Sequence, residues 1–248
     1  MLPKSILEHT LVLDIETVSA AASYAELSPT MQKLWALKAE ALQRRLAEEE
    51  KMTAADYYPE KAGIYAEFGK IVCITVGVFT KNEEGQYKLR LKSFYGDDEK
   101  VLLQDFSAML SKYFQRRGQQ YVCGHNIKEF DMPYICRRMI VQGLPLPAPL
   151  QIYGKKPWEL HHFLDSMTLW KFGDYKAYTS LKLLCGLFGI PTPKDDIDGS
   201  QVGRSYWEDG DLDRIEVYCK KDVFATAQVL LRFMLEDPLA LIFESADG

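Results

Sequence analysis

The chain has no run of about 18 apolar residues, so it offers no segment that would cross a bilayer as a helix. Its first ten residues, MLPKSILEHT, lack a signal-peptide pattern. Its five cysteines (Cys73, Cys123, Cys136, Cys185 and Cys219) form no C-x-x-C pair. That argues against a zinc site and for reduced packing thiols in a cytoplasmic protein. Positive charge is also short: 30 Lys and Arg against 35 Asp and Glu give a net charge of −5. A chain of this balance does not hold nucleic acid by blanket phosphate neutralisation. No internal repeat or low-complexity tract is present. What remains is a 248-residue chain, 47% hydrophobic and 26% charged, of ordinary globular composition and large enough for a good core.

The elements alternate as in an α/β protein. Thr10 to Thr17 reads as a strand and is followed by a helical insertion from about 24 to 62. Ile71–Thr80 and Tyr87–Phe94 read as a hairpin around Lys81-Asn82-Glu83-Glu84-Gly85. A helix is expected from about Asp98 to Arg117, a strand over Gln120–Cys123, and a helix with Pro133 in its first turn. A Pro-rich connection leads to a short strand near His162–Asp165 and a helix from Thr179 to Phe188. The segment from Asp195 to Gly210 reads as a long polar loop before a helix spanning Leu212 to Met234.

Against this plain background stand four carboxylates in three short segments. Asp14 and Glu16 lie in LVLDIET, where period-2 geometry puts both on one strand face. Tyr218 and Asp222 are four residues apart on one face of the last helix, with Ile215 and Cys219 flanking them inward. Asp131 closes GHNIKEFD at a helix N-terminus, where an anion is favoured. Acids among apolar residues are costly unless a cation neutralises them, and a divalent metal does this well. Each segment also has a plain alternative. The first pair could be a solvated strand end, Asp131 an ordinary helix cap, and Asp222 the partner of Lys220 or Lys221. A D-x-E triplet is itself weak, since Asp97-Asp98-Glu99 supplies a second one.

Taken together the segments resemble the DEDD superfamily of 3′→5′ exonucleases. Its motifs are D-x-E, N-x-x-x-[FY]-D and Y-x-x-x-D or H-x-x-x-D. Here they read Asp14-Ile15-Glu16, Asn126 through Phe130-Asp131, and Tyr218 through Asp222, in that order. The tyrosine is similar to the DEDDy branch. FGKIVCITVGVF, CGHNIKEFDMPYICRR, TSLKLLCGLFGIP and DGSQV…YCKKDV resemble the stand-alone exonucleases related to the proofreading domain of family B DNA polymerases.

The resemblance implies a ribonuclease H-like α/β fold, with a mixed five-stranded sheet flanked by helices. It implies one exonuclease domain over 1–248, with its core at about 8–236. Two Mg²⁺ or Mn²⁺ ions would be held by Asp14, Glu16, Asp131 and Asp222, with Tyr218 orienting the attacking water. Substrate would be contacted by Asn126 and Phe130, with Thr17 and His125 as further candidates; Phe68 and Lys182 are weaker ones. Core packing for Phe130 and a satisfied structural role for His125 stay open. Asp165 could sit near the cluster but is not needed as a ligand, and His161 and His162 read as structural or exposed. The charged stretch ALKAEALQRRLAEEEK is either a solvated helix face or a flap over the substrate groove. The implied partner is nucleic acid, DNA 3′ ends before RNA and single strands before duplex, with a separate polymerase or repair protein possible. The rival readings are an exoribonuclease, a non-catalytic nucleic-acid-binding module of the same fold, and a structural protein with surface acids. The negative charge implies a weak, salt-sensitive grip on long strands.

Overall fold

The computed structural model describes residues 2–174, 178–191 and 199–245. Strand β1 (Thr10–Ser19) is long, apolar and buried on both faces, as a central strand must be. It is followed by α1 (Pro29–Leu42), α2 (Ala54–Lys61), β2 (Gly69–Lys81) and β3 (Tyr87–Tyr95). Next come α3 (Glu99–Phe114), β4 (Tyr121–Gly124), α4 (Asp131–Val141), β5 (Phe163–Asp165) and α5 (Ser166–Lys171). The chain closes with α6 (Leu181–Phe188), α7 (Val202–Trp207), α8 (Leu212–Phe233) and β6 (Ile242–Ser245).

The strands form one mixed sheet in the order β5-β4-β1-β2-β3-β6. β1 pairs antiparallel with β2 and parallel with β4, so it sits where hairpin and crossover connections meet. The sheet has six strands among the described residues, not the expected five. The sixth, β6, lies beyond residue 236 and pairs parallel to β3 at the edge. The expected polar loop at 195–210 contains a helix, α7; its Trp207 indole donates to Ser19 O at 3.2 Å, so packing on β1 orders it. Residues 192–198 of that stretch lie outside the described residues.

Alternation along β1 feeds two separate cores. Leu11, Leu13 and Ile15 face α3 and α4, packing with Phe106, Leu110, Met132 and Ile135. Val12 faces α8, packing with Val223, Ala227 and Leu230. Period 2 then directs Asp14 and Glu16 towards α8 as well. The helices themselves begin on strong caps: Asp98 accepts from Lys100 N and Val101 N, and Asp211 accepts from Arg214 N.

Between β1 and β2 the insertion builds its own small core. Ser28 caps α1 and Thr53 caps α2. Trp35 is fully buried between Tyr57, Tyr58, Tyr65 and Phe68, and its indole N–H donates to Ala54 O at 2.8 Å. Phe68, edge-on to Trp35 at 5.1 Å, is thereby committed to packing and removed from substrate contact.

One buried ion pair ties α3 to α4. Arg138 meets Glu99 at 2.7 Å, and Glu99 also accepts from Ile71 N and Gln142. Removing one partner strands a buried charge. Arg138→Met should therefore lower unfolding free energy by about 3 kcal/mol or more in urea denaturation. A loss under about 1 kcal/mol would mean that water reaches Glu99 and relieves it.

Candidate active site

Three elements bring the sequence-singled acids to one place. Asp14 and Glu16 project from β1 towards α8, which carries Tyr218 and Asp222 one turn apart. Asp131 is the first residue of α4. β4 pairs with β1 only as far as Val12, leaving that edge open further along. There the Ile15 N–H donates to the Asp131 carboxylate, which anchors α4 to the middle of β1. A register shift between Glu16 and Thr17 interrupts the pairing with β2 directly after the second acid, and the ladder resumes at Thr17–Ile71.

The acids are deep and uncompensated. Glu16 and Asp131 are buried, and Asp14 and Asp222 half-buried. Burial pushes the Asp14 carboxyl far above the usual carboxylate range, and the charges of Asp131 and Asp222 add to this. Glu16 is raised by burial and then by Asp14, Asp222 and Asp131. Asp131 is pushed up to about 7, chiefly by burial, with the Ile15 N–H acting in the opposite sense. Asp222 is pushed up to about 6 by burial, against a hydrogen bond from Tyr218. No lysine or arginine among the described residues offsets any of the four. Lys220 pairs at 2.6 Å with Glu216 instead, so it does not serve as the expected counter-ion of Asp222.

Tyr218 completes the group. Burial and then the charges of Asp222, Glu16 and Asp14 push its hydroxyl well above the ordinary phenol range. It is a hydrogen-bond donor at any working pH, never a base. The neighbouring Cys219 thiol donates weakly to Asp14, 3.5 Å from its backbone oxygen and 3.6 Å from Oδ2. Asp14, Glu16 and Cys219 offer ligand atoms all within 4.8 Å of one another. The thiol is held protonated by burial and by the Cys73 thiol beside it. By its spacing Cys219 is an inward flank of α8; its position one residue after Tyr218 is the signal that it also faces Asp14.

Asn126 lies in the turn before α4 with φ 63°, a left-handed conformation that asparagine tolerates better than most residues. Asp165 holds this turn: its carboxylate accepts from Asn126 N at 3.1 Å and Lys128 N at 3.2 Å, while capping α5 through Met167 N and Thr168 N. Asp165 is thus a loop organiser, a role its sequence context did not signal. Asn126 Oδ1 is buried and finds no partner among the described residues, a costly state that implies a missing donor or cation.

The remaining candidates are placed as follows. His125 bridges Ser166 Oγ and Thr179 O, each at 2.9 Å, so both ring nitrogens are taken by the protein. Phe130 is half-buried and packs tilted on Tyr134 at 5.5 Å. Thr17 is half-buried beyond the register shift, its hydroxyl donating to Tyr134. His162 contacts Pro149 O at 3.2 Å, whereas His161 is exposed.

The donor set is all hard oxygen apart from one protonated thiol. It fits a hard divalent cation, and four buried carboxylates are more charge than one such ion neutralises.

A mixed sheet flanked by helices, with a carboxylate cluster beside its central strand, defines the class as a ribonuclease H-like fold. A family model described as a predicted 3′-5′ exonuclease related to the exonuclease domain of PolB matches residues 64–239, and the chain belongs to that family. Asn126, Asp131, Tyr218 and Asp222 lie inside the matched span; Asp14 and Glu16 precede it. No curated protein matches the chain. Among solved structures it is similar to the family B DNA polymerase from the hyperthermophilic archaeon Pyrobaculum calidifontis, with a TM-score of 0.51 and 15% identity. That similarity covers 91% of this chain and 24% of the polymerase, so the chain spans about a quarter of that protein's length. At this identity the likeness shows the fold alone. No helix among the described residues is long and apolar enough to cross a membrane.

The raised carboxyls set a pH dependence. A carboxyl whose pKa is higher folded than unfolded costs nothing below its unfolded pKa near 4 and costs progressively more as pH rises through its folded value. With chelator present, the melting temperature should therefore fall between about pH 4 and about pH 7–8. Mn²⁺ or Mg²⁺ should reverse most of that fall, raising the melting temperature more near pH 8 than near pH 5. An ion effect that is absent, or equal at both pH values, would contradict the carboxylate site.

Proposed function

We propose that this 3′-5′ exonuclease hydrolyses the terminal phosphodiester of single-stranded DNA and releases nucleoside monophosphates at a site built for two divalent ions, Mg²⁺ or Mn²⁺. The observation that carries the proposal is the convergence of Asp14, Glu16, Asp131 and Asp222, buried or half-buried with no cationic side chain among the described residues to offset them. Bound there, two ions would supply a water of lowered pKa and stabilise charge on the leaving 3′-oxygen. Asp14, on the face shared by β1 and α8, would be one of the residues that hold them. Glu16 and Asp222 hold the α8 side, and Asp131 the α4 side.

Tyr218, held to Asp222, orients the attacking water through its hydroxyl and accepts no proton. Asn126 offers its unpartnered Oδ1 to the terminal nucleotide or its bound ion. The half-buried edge of Phe130 supports the terminal base or sugar. Thr17 and His125 border the cleft and act on substrate through the loops they hold, since their polar atoms are engaged by the protein. The polymerase-related family favours DNA over RNA, at the level of fold analogy. The same kinship suggests action beside a separate polymerase or repair protein, with 1–248 as one catalytic unit in the cytoplasm.

The test uses 5′-labelled single-stranded DNA and RNA with Mg²⁺, Mn²⁺ or EDTA. A metal-dependent ladder shortening from the 3′ end is expected on DNA. Asp14→Ala and Asp222→Ala should lose nearly all activity, on the order of 10³-fold or more, while Tyr218→Phe keeps a measurable fraction. Faster degradation of RNA would make the enzyme an exoribonuclease. Equal, complete loss in Tyr218→Phe would overturn its assignment to water orientation.

A further inference from the structure

Helix α4 carries more than Asp131. Asp131, Tyr134 and Arg138 recur at i, i+3 and i+7, so they form one stripe along the helix. Each meets a segment that must keep its place for the site to exist. Asp131 accepts from Ile15 N. Arg138 donates to Ala66 O at 2.9 Å, where the insertion returns to the sheet.

Tyr134, fully buried, lies between them. Its hydroxyl donates to Gly63 O at 2.8 Å, at the end of the insertion, and accepts from the Thr17 hydroxyl beyond Glu16. The surroundings are shaped to admit that oxygen. A Cβ on Gly69 would come within 2.3 Å of it, and one on Gly63 within 3.1 Å of the Val18 backbone. The hydroxyl thus sits at a three-way junction of β1, the insertion root and α4. It lies where β1 departs from regular pairing with β2, directly after the second acid.

We infer that Tyr134 is a positioning residue: its hydroxyl pins the irregular step after Glu16 to the insertion root, and so sets the aim of Glu16 at the divalent-ion site. The inference rests on the two-ion reading above. Register with β2 shifts between the Glu16–Cys73 and Thr17–Ile71 pairs, so the step between them is the irregular point of an otherwise continuous ladder. Tyr134 braces that step through a side chain. The helical insertion acquires a function from the same contact, because movement of Gly63 is transmitted to Thr17 through one oxygen atom. Tyr134 touches neither substrate nor ion, and its effect is on the ions' affinity.

The test compares Tyr134→Phe, Thr17→Val and Thr17→Ser with wild type. Two readouts are used: the Mn²⁺ concentration that gives half of the ion-induced rise in melting temperature, and the Mn²⁺ dependence of oligonucleotide cleavage. Tyr134→Phe and Thr17→Val should each raise both midpoints roughly tenfold, the scale seen when groups supporting metal ligands are removed. In Tyr134→Phe, activity at saturating Mn²⁺ and KM for the oligonucleotide should stay near wild type; Thr17→Ser, which restores the hydroxyl, should have the Mn²⁺ midpoints of wild type. If Tyr134→Phe does not fold, the Thr17→Val and Thr17→Ser pair decides. Unshifted Mn²⁺ midpoints in Tyr134→Phe and Thr17→Val overturn the inference, as does an equal shift in Thr17→Val and Thr17→Ser. A wild type whose melting temperature ignores Mn²⁺ overturns the metal reading itself, so the two failures are distinguishable.

Discussion

Four carboxylates share one partly dry space without a positive side chain among the described residues, and the rest of the molecule is arranged around that cost. Buried acids of this kind are expensive to ionise, and each raises the next. A fold that needed only stability would replace them or pair them, as it pairs Glu99 with Arg138 towards the other end of α4. The contrast between these two clusters within one helix length is informative. Glu99 receives a guanidinium, an amide side chain and a backbone N–H. Among the described residues the central acids receive a tyrosine hydroxyl, a thiol and two backbone N–H groups, and no guanidinium.

Holding them there needs rigid neighbours. β1 is the central strand, and its two faces feed separate cores, so neither face can rotate without exposing apolar surface. α8 crosses the face that bears Asp14 and Glu16. α4 is hung on the open edge of β1 by Asp131 itself, so one carboxylate is both a candidate ligand and a structural hook. The turn that precedes it is held by Asp165 and by His125, whose bonds to Ser166 and Thr179 tie the turn to α5 and to the approach to α6.

Much of this was legible in the sequence because ligand chemistry restricts side-chain type at fixed points. Asp14 and Glu16 could be placed on one face from strand period alone, and Tyr218 and Asp222 from helix period. Their convergence could not be read that way, because it depends on where β4 stops pairing with β1 and on how α8 crosses the sheet. β6 escaped because four residues at an exposed edge carry little periodic signal. α7 escaped because it is six residues long and ordered by Trp207 against β1 rather than by helix propensity. Tyr134 looked like any apolar position of an amphipathic helix; only the close approach of Gly69 and Gly63 reveals that its oxygen matters. Lys220 was a plausible partner for Asp222 by sequence distance, yet one turn of helix assigns it to Glu216.

The central claim is that these four acids are a divalent-ion site and not a strained remnant. The most direct measurement is anomalous diffraction from crystals grown with Mn²⁺ and a short single-stranded DNA, using a non-hydrolysable linkage at its 3′ end. The account predicts two Mn²⁺ peaks about 3.5–4 Å apart, ligated by Asp14, Glu16, Asp131 and Asp222, with the terminal phosphate between them. Density for DNA in the cleft with no Mn²⁺ at the carboxylates, or with a lysine folded in to neutralise them, would contradict it.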